Sequence, residues 1–94
     1  MSKSNSTKLR RILRALDLPE EADAQVPKFT MLGASDLLVE NHSGILQYSE
    51  ELVRLMTPEG IVRIIGHSLE LTEFGNERVY LRGRIMGWAY EERN

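Results

Sequence analysis

No cysteine occurs among the 94 residues. That excludes disulfides, thiolate metal sites and a thiol nucleophile. Aromatic residues make up only 6% of the chain, with a single Trp, so the expected core is Leu, Ile and Val. No apolar run approaches the ~20 residues that cross a bilayer. The N-terminal region also lacks the uninterrupted apolar stretch of a secretory signal. The expectation is a chain that stays in the compartment where it is made. What is present is ordinary for a soluble globular protein, at 41% hydrophobic and 28% charged residues. The length fits one small domain, a size at which oligomerisation commonly adds burial.

The net charge of -2 hides an uneven distribution. Five of the 12 basic residues (Lys3, Lys8, Arg10, Arg11 and Arg14) and none of the 14 acidic ones fall in residues 1–16. The arm therefore carries +5 and the remainder -7. Such asymmetry points to a basic arm meeting an acidic partner or surface, or to a solvated helix face. Ser6 or Thr7 is placed to cap a helix starting near Lys8. Leu9, Ile12, Leu13 and Leu16 then fall at i, i+3, i+4 and i+7 as one apolar stripe. Pro19 restricts the residue before it and stops the helix near Leu18. About three turns are too short for stability alone in water. The helix must dock on its own β domain, on a partner protein or on an anionic membrane surface. Leu9, Arg10, Ile12, Leu13 and Arg14 are the candidate docking residues.

The expected organisation is a basic amphipathic helix over 1–18, an acidic linker over 19–27, a β domain over 28–90 and a polar tail over 91–94. The β domain is read from short alternating runs cut by Gly, Asn and Pro. Strands are expected over 29–32 and 37–40. Asn41-His42-Ser43-Gly44 supplies turn chemistry that joins 37–40 to 45–48 as a hairpin. Residues 49–51 form a bulge or corner before a strand over 52–56. Thr57-Pro58-Glu59-Gly60 has Pro at i+1 and Gly at i+3 of a type I turn. Residues 61–65 are the most apolar strand, ended at Gly66 or opened there to a neighbouring backbone. A strand over 69–74, a turn at Gly75-Asn76-Glu77 and a long last strand over 78–90 complete the series. Val79, Leu81, Gly83 and Ile85 face inward on that strand; Arg78, Tyr80, Arg82 and Arg84 face outward. Gly83 and Gly87 mark bulges or bends. The last and first strands are the expected sheet edges. The fold class is mainly β: a small antiparallel sheet or sandwich, or a short β-solenoid given the similar spacing of Gly44, Gly60 and Gly75. Val62, Ile64, Leu69, Leu71, Val79, Leu81 and Ile85 are the expected core.

The ordered set of Pro27 to Gly33, Leu38-Val39-Glu40-Asn41-His42-Ser43-Gly44-Ile45, Gly60-Ile61-Val62, Ile65-Gly66 with Leu69, and Gly83 with Ile85 resembles the YabP/YqfC family of sporulation proteins. The YqfC branch is the more similar, and about two-thirds of the chain is covered. The resemblance implies a protein of endospore formation made in the mother cell. It further implies a membrane-protein partner and work at the membrane around the developing spore. No enzymatic activity, cofactor or ligand is carried over, and the basic helix receives no functional residue from it.

Chemistry read from the residues is sparse. His42 and His67 lack further His or Cys at ligand spacing, so no metal site is expected. Glu50 and Glu51, as strand neighbours, would point to opposite faces and share no proton. The glycines follow neither a dinucleotide-binding nor a P-loop pattern. Arg78, Arg82 and Arg84 with Tyr80 and Trp88 are the one basic, aromatic constellation. Glu70, Glu73 and Glu77 lie ready to neutralise it, and nucleic-acid binding is not expected. Unpaired backbone at the sheet edges makes a homo-oligomer or strand addition the better expectation. The reading reached is a non-enzymatic interaction or scaffold protein without cofactor, cytoplasmic in the mother cell or peripheral at the spore membrane. Its alternatives are a peripheral protein using the basic helix on anionic lipid, and a small enzyme with an unrecognised pocket.

Overall fold

Alternating polarity becomes a single bent sheet. The computed structural model describes residues 26–73, 75 and 77–92. These hold β1 (Lys28–Leu32), β2 (Asp36–Glu40), β3 (Gly44–Tyr48), β4 (Leu52–Thr57), β5 (Gly60–Glu73) and β6 (Arg78–Tyr90). The order across the sheet is β1-β2-β6-β5-β4-β3, with every neighbouring pair antiparallel. The mainly β class therefore holds, as one antiparallel sheet and not as a solenoid of parallel coils. The helix expected over 1–18 lies outside the described residues.

The pairing differs from the sequence reading in three places. β2 and β3 form no hairpin, because residues 41–43 carry the chain between strands four positions apart. Asn41 does take the left-handed conformation, at φ 68°, but local turn chemistry does not choose which strands pair. β6 is no edge; it pairs with β2 on one side and β5 on the other. The edges are β1 and β3. β5 runs through Gly66 as one strand instead of stopping there. Its register shifts at Ile65/Gly66 and His67/Glu70, so bulges bend the strand where the sequence reading ended it.

That bend divides the sheet into two halves sharing the β5–β6 hairpin. One half joins β1 and β2 to residues 78–82 of β6 and 70–73 of β5; the other joins β3 and β4 to residues 60–65 of β5 and 87–90 of β6. Each short hairpin braces a bend with its turn. The Gly66 and Leu69 N–H groups donate to the Glu51 and Glu50 carbonyls (3.1 and 2.8 Å), and the Gly83 and Ile85 N–H groups donate to those of Ser35 and Ala34 (3.1 and 2.9 Å). Gly66 is required by contact, since a Cβ there would lie 2.1 Å from the Arg84 carbonyl oxygen. Gly83 combines φ +136° with only 2.6 Å between a built Cβ and the Ser68 carbonyl oxygen.

The two halves enclose one core. Val62, Ile64, Leu69, Val79, Leu81 and Ile85 lie in it as expected, with Leu71 partly buried against it. Leu37, Val39, Val53 and Leu55 complete it from β2 and β4. Curling is enforced by the short connection 41–43. Four strand spacings cover about 19 Å in a flat sheet, whereas the four Cα steps from Glu40 to Gly44 reach at most about 14 Å. Both edges lean across to the opposite half. Phe29 of β1 stacks on Trp88 at 4.0 Å and meets Tyr90 edge-on at 6.3 Å. The Tyr48 hydroxyl of β3 donates to the Leu69 carbonyl and accepts from the Leu71 N–H, both at 3.2 Å.

Candidate interaction surfaces

The fold separates the residues that the sequence grouped as a basic, aromatic face. Tyr80 points outward from the core, as expected, but is only 3% exposed and donates its hydroxyl to the Asp36 carboxylate. The Ser35 hydroxyl supports the same carboxylate at 2.7 Å. Burial first, then the Asp36 hydrogen bond, pushes the Tyr80 phenol well above its ordinary range. Trp88 is committed to Phe29 on the opposite side of the sheet. Arg82 faces Glu70 at 3.5 Å, the neutralisation expected across the strand pair. Among the described residues Tyr80 and Trp88 therefore do not form one stacking stripe.

The remaining titratable groups are dispersed. His42 is buried in the connection 41–43, with its Nδ1 lacking a hydrogen-bond partner, whereas His67 is exposed on β5. Glu50 and Glu51 are exposed in the β3–β4 turn and not on a strand. Among the described residues no three His, Cys, Asp or Glu converge as metal ligands. A shallow cavity of about 240 Å³ is lined by Met56, Thr57, Gly60, Ile61, Glu91 and Glu92. Its Glu91 carboxylate receives two hydrogen bonds from Arg54 (2.6 and 3.0 Å), with Arg63 at 3.7 Å. The Arg54 hydrogen bonds hold that carboxyl below its usual range. An acid fixed in its ionised form anchors β6 to β4 and is a poor proton donor at neutral pH.

Two surfaces are better suited to association. β3 ends the sheet, so its outer backbone N–H and C=O groups have no strand partner among the described residues. It carries no charged side chain and exposes Leu46 and Tyr48 by 42% and 49%. The register shift between Ile45 and Gln47 leaves Leu46 out of the ladder. β1, the other edge, carries Lys28, a residue type that discourages strand addition. The second surface is the outer face of the β3–β4 half. There the half-buried Leu52 lies beside Ile65, and Ile65 beside Gly87. Ile65 and the adjoining Met86 are 50% and 56% exposed. The sequence reading missed β3 as an edge, because a five-residue apolar run looks the same at an edge as at a centre. The docking residues expected from sequence, Leu9, Arg10, Ile12, Leu13 and Arg14, lie outside the described residues. Among the described residues no helix is long and apolar enough to cross a membrane.

Comparison with known proteins gives a consistent family. The YabP family model matches residues 23–94. The chain is 35% identical over 81 residues to a protein of Bacillus subtilis (strain 168) described as "Uncharacterized protein YqfC"; the alignment spans 86% of this chain and 87% of that protein. No solved structure matches significantly.

Proposed function

We propose, on the premise that this chain belongs to the YabP family, that it is a non-enzymatic interaction or scaffold module of endospore formation. In this reading it acts in the mother-cell cytoplasm, at the membrane around the developing spore, beside a membrane-protein partner. It also assembles with copies of itself. The observation that carries the reading is β3, an uncharged edge strand with exposed Leu46 and Tyr48. An extended segment adds to such an edge through main-chain hydrogen bonds, and alternate side chains supply selectivity. A second copy or a strand of the membrane partner would satisfy the same groups.

Light scattering on the full chain and on Leu46→Lys tests this. A discrete oligomer is expected for the full chain and a monomer for the variant, since an edge lysine opposes strand addition. A full chain that stays monomeric at high micromolar concentration and captures no membrane-protein partner opposes the scaffold. Deletion in a spore-forming host with unaltered spores opposes the endospore assignment separately. The concentration of basic charge in residues 1–16 favours a second reading, peripheral binding to anionic lipid. In that case co-sedimentation with anionic vesicles is lost on joint Arg10→Glu and Arg14→Glu substitution and weakens with salt.

A further inference from the structure

The sheet has a covered face that its own strands do not cover. Thr30, Leu38, Tyr80 and Thr72 form one row across β1, β2, β6 and β5, turned away from the core. Leu32, Asp36, Arg82 and Glu70 form the next. Yet on β2 and β6 Leu38 is 0% exposed, Asp36 1% and Tyr80 3%, while Thr72 and Glu70 at the β5 end stay exposed. All six strands belong to one sheet that curls toward the core, so the convex side receives no strand. The same side of the other half is open, with Ile65 50% exposed. A leucine on a solvated sheet face keeps exposure of that kind. Complete burial of Leu38 requires another layer. Outside the described residues the chain offers positions 74 and 76, the pair 93–94, and residues 1–25. Only the last is long enough to cover several strands.

We propose that residues 9–16 lie across this second face, with Leu9, Ile12, Leu13 and Leu16 turned onto Leu38 and Tyr80. The inference is independent of the endospore reading. A helix over 8–18 is about 16 Å long, and the four strands of this half span about 14 Å from first to last. The chain enters β1 at the end where it pairs with Glu40: the Asn41 side-chain amide donates to the Val26 carbonyl at 2.7 Å. The nine residues 17–25 extend up to about 30 Å, ample to return the chain onto this face. One polar atom near this face also lacks a partner. Glu40 lies in the neighbouring row with Lys28 and Arg78, and its Oε1 is buried without a hydrogen-bond partner. A buried carboxylate oxygen calls for a donor or a cation. Lys8, Arg10, Arg11 and Arg14 flank the apolar stripe that would pack there.

The absence of cysteine makes the test clean. A nitroxide on Ala15→Cys in the full, isotope-labelled chain should broaden the amide signals of Leu38, Thr72 and Tyr80 severalfold more than those of Arg54, Arg63 and Ala89. The difference should vanish with Leu13→Asp in the same labelled chain, while the signals of Val53 to Ile64 report that the sheet remains folded. Broadening that is uniform, or concentrated on the β3–β4 half, overturns the proposal. So does broadening that persists when spin-labelled and isotope-labelled chains are separate molecules mixed together, since a second copy would then supply the cover.

Discussion

At the scale of single residues, the Tyr80–Asp36 pair is the most consequential polar contact. Both side chains are withdrawn from water, so removing one costs the other a buried hydrogen bond. Tyr80→Phe is expected to destabilise the fold by about 1–3 kcal/mol in chemical denaturation. The pH response follows from the same burial. The folded phenol is pushed above the ordinary value of 10.0, whereas the unfolded phenol ionises at that value. Above about pH 10 the folded state binds more protons, so this stabilisation is complete below pH 10 and is lost as pH rises. Denaturation at stepped alkaline pH should therefore show a steeper loss for the parent chain than for Tyr80→Phe; parallel curves would remove Tyr80 from the alkaline response. Alternation along β6 made the outward direction of Tyr80 legible in the sequence. Its burial was not legible, because burial depends on what lies over that face and not on strand periodicity.

At the scale of elements, the bend in β5 and β6 decides the architecture, and its glycines are not equivalent. Gly66→Ala forces a methyl against the Arg84 carbonyl, a backbone contact with little room to relax. A loss of about 3 kcal/mol is expected. Gly87→Ala meets nothing within 4 Å and should change stability by less than about 0.5 kcal/mol. Urea midpoints for the two variants separate contact from composition, and equal losses would contradict the close approach at Gly66. Gly66 was visible in the sequence as a punctuation point with two meanings, a strand end or a close approach. The choice was set by backbone bonds that Gly66 and Leu69 donate to the Glu51 and Glu50 carbonyls, which no local pattern encodes. The Asn41–Gly44 segment reads in sequence as a hairpin turn, and Asn41 does take the left-handed conformation, but the segment crosses between strands that do not pair. Of the strands it joins, β2 pairs with β6, far along the chain, and β3 pairs with the strand that follows it, β4. The Phe29–Trp88 stack offers a second check on closure. Phe29→Leu should shift the emission of the single Trp toward longer wavelength as the ring loses cover, and unchanged emission would place Trp88 away from β1.

At the scale of the whole molecule, the two halves share β5, β6 and one core, so neither is a separate folding unit. Leu81→Ala in one half and Leu55→Ala in the other should each lower stability by about 2–5 kcal/mol. Both should retain coincident transitions by Trp fluorescence and far-UV circular dichroism. Separated transitions would mean that the halves unfold independently. The inward residues of β5 and β6 were readable because long alternating strands carry a strong period. The contributions of β2 and β4, such as Leu37 and Leu55, were harder to read, since short apolar runs do not show which face is inside. The candidate surfaces were less legible still, because an edge is defined by what fails to pair with it. The strand order also sets a timetable. β6 lies near the centre of the sheet but is synthesised last of the six strands. At about 5–20 residues per second, roughly 2–8 s separate the making of Glu40 from that of Arg78. Through that interval β2 presents Leu37, Leu38 and Val39 without its β6 neighbour, so the nascent chain depends on whatever shields an apolar strand at the ribosome. The yield of soluble protein in a cell should therefore respond to translation speed and chaperone supply, even in variants whose finished fold is unchanged.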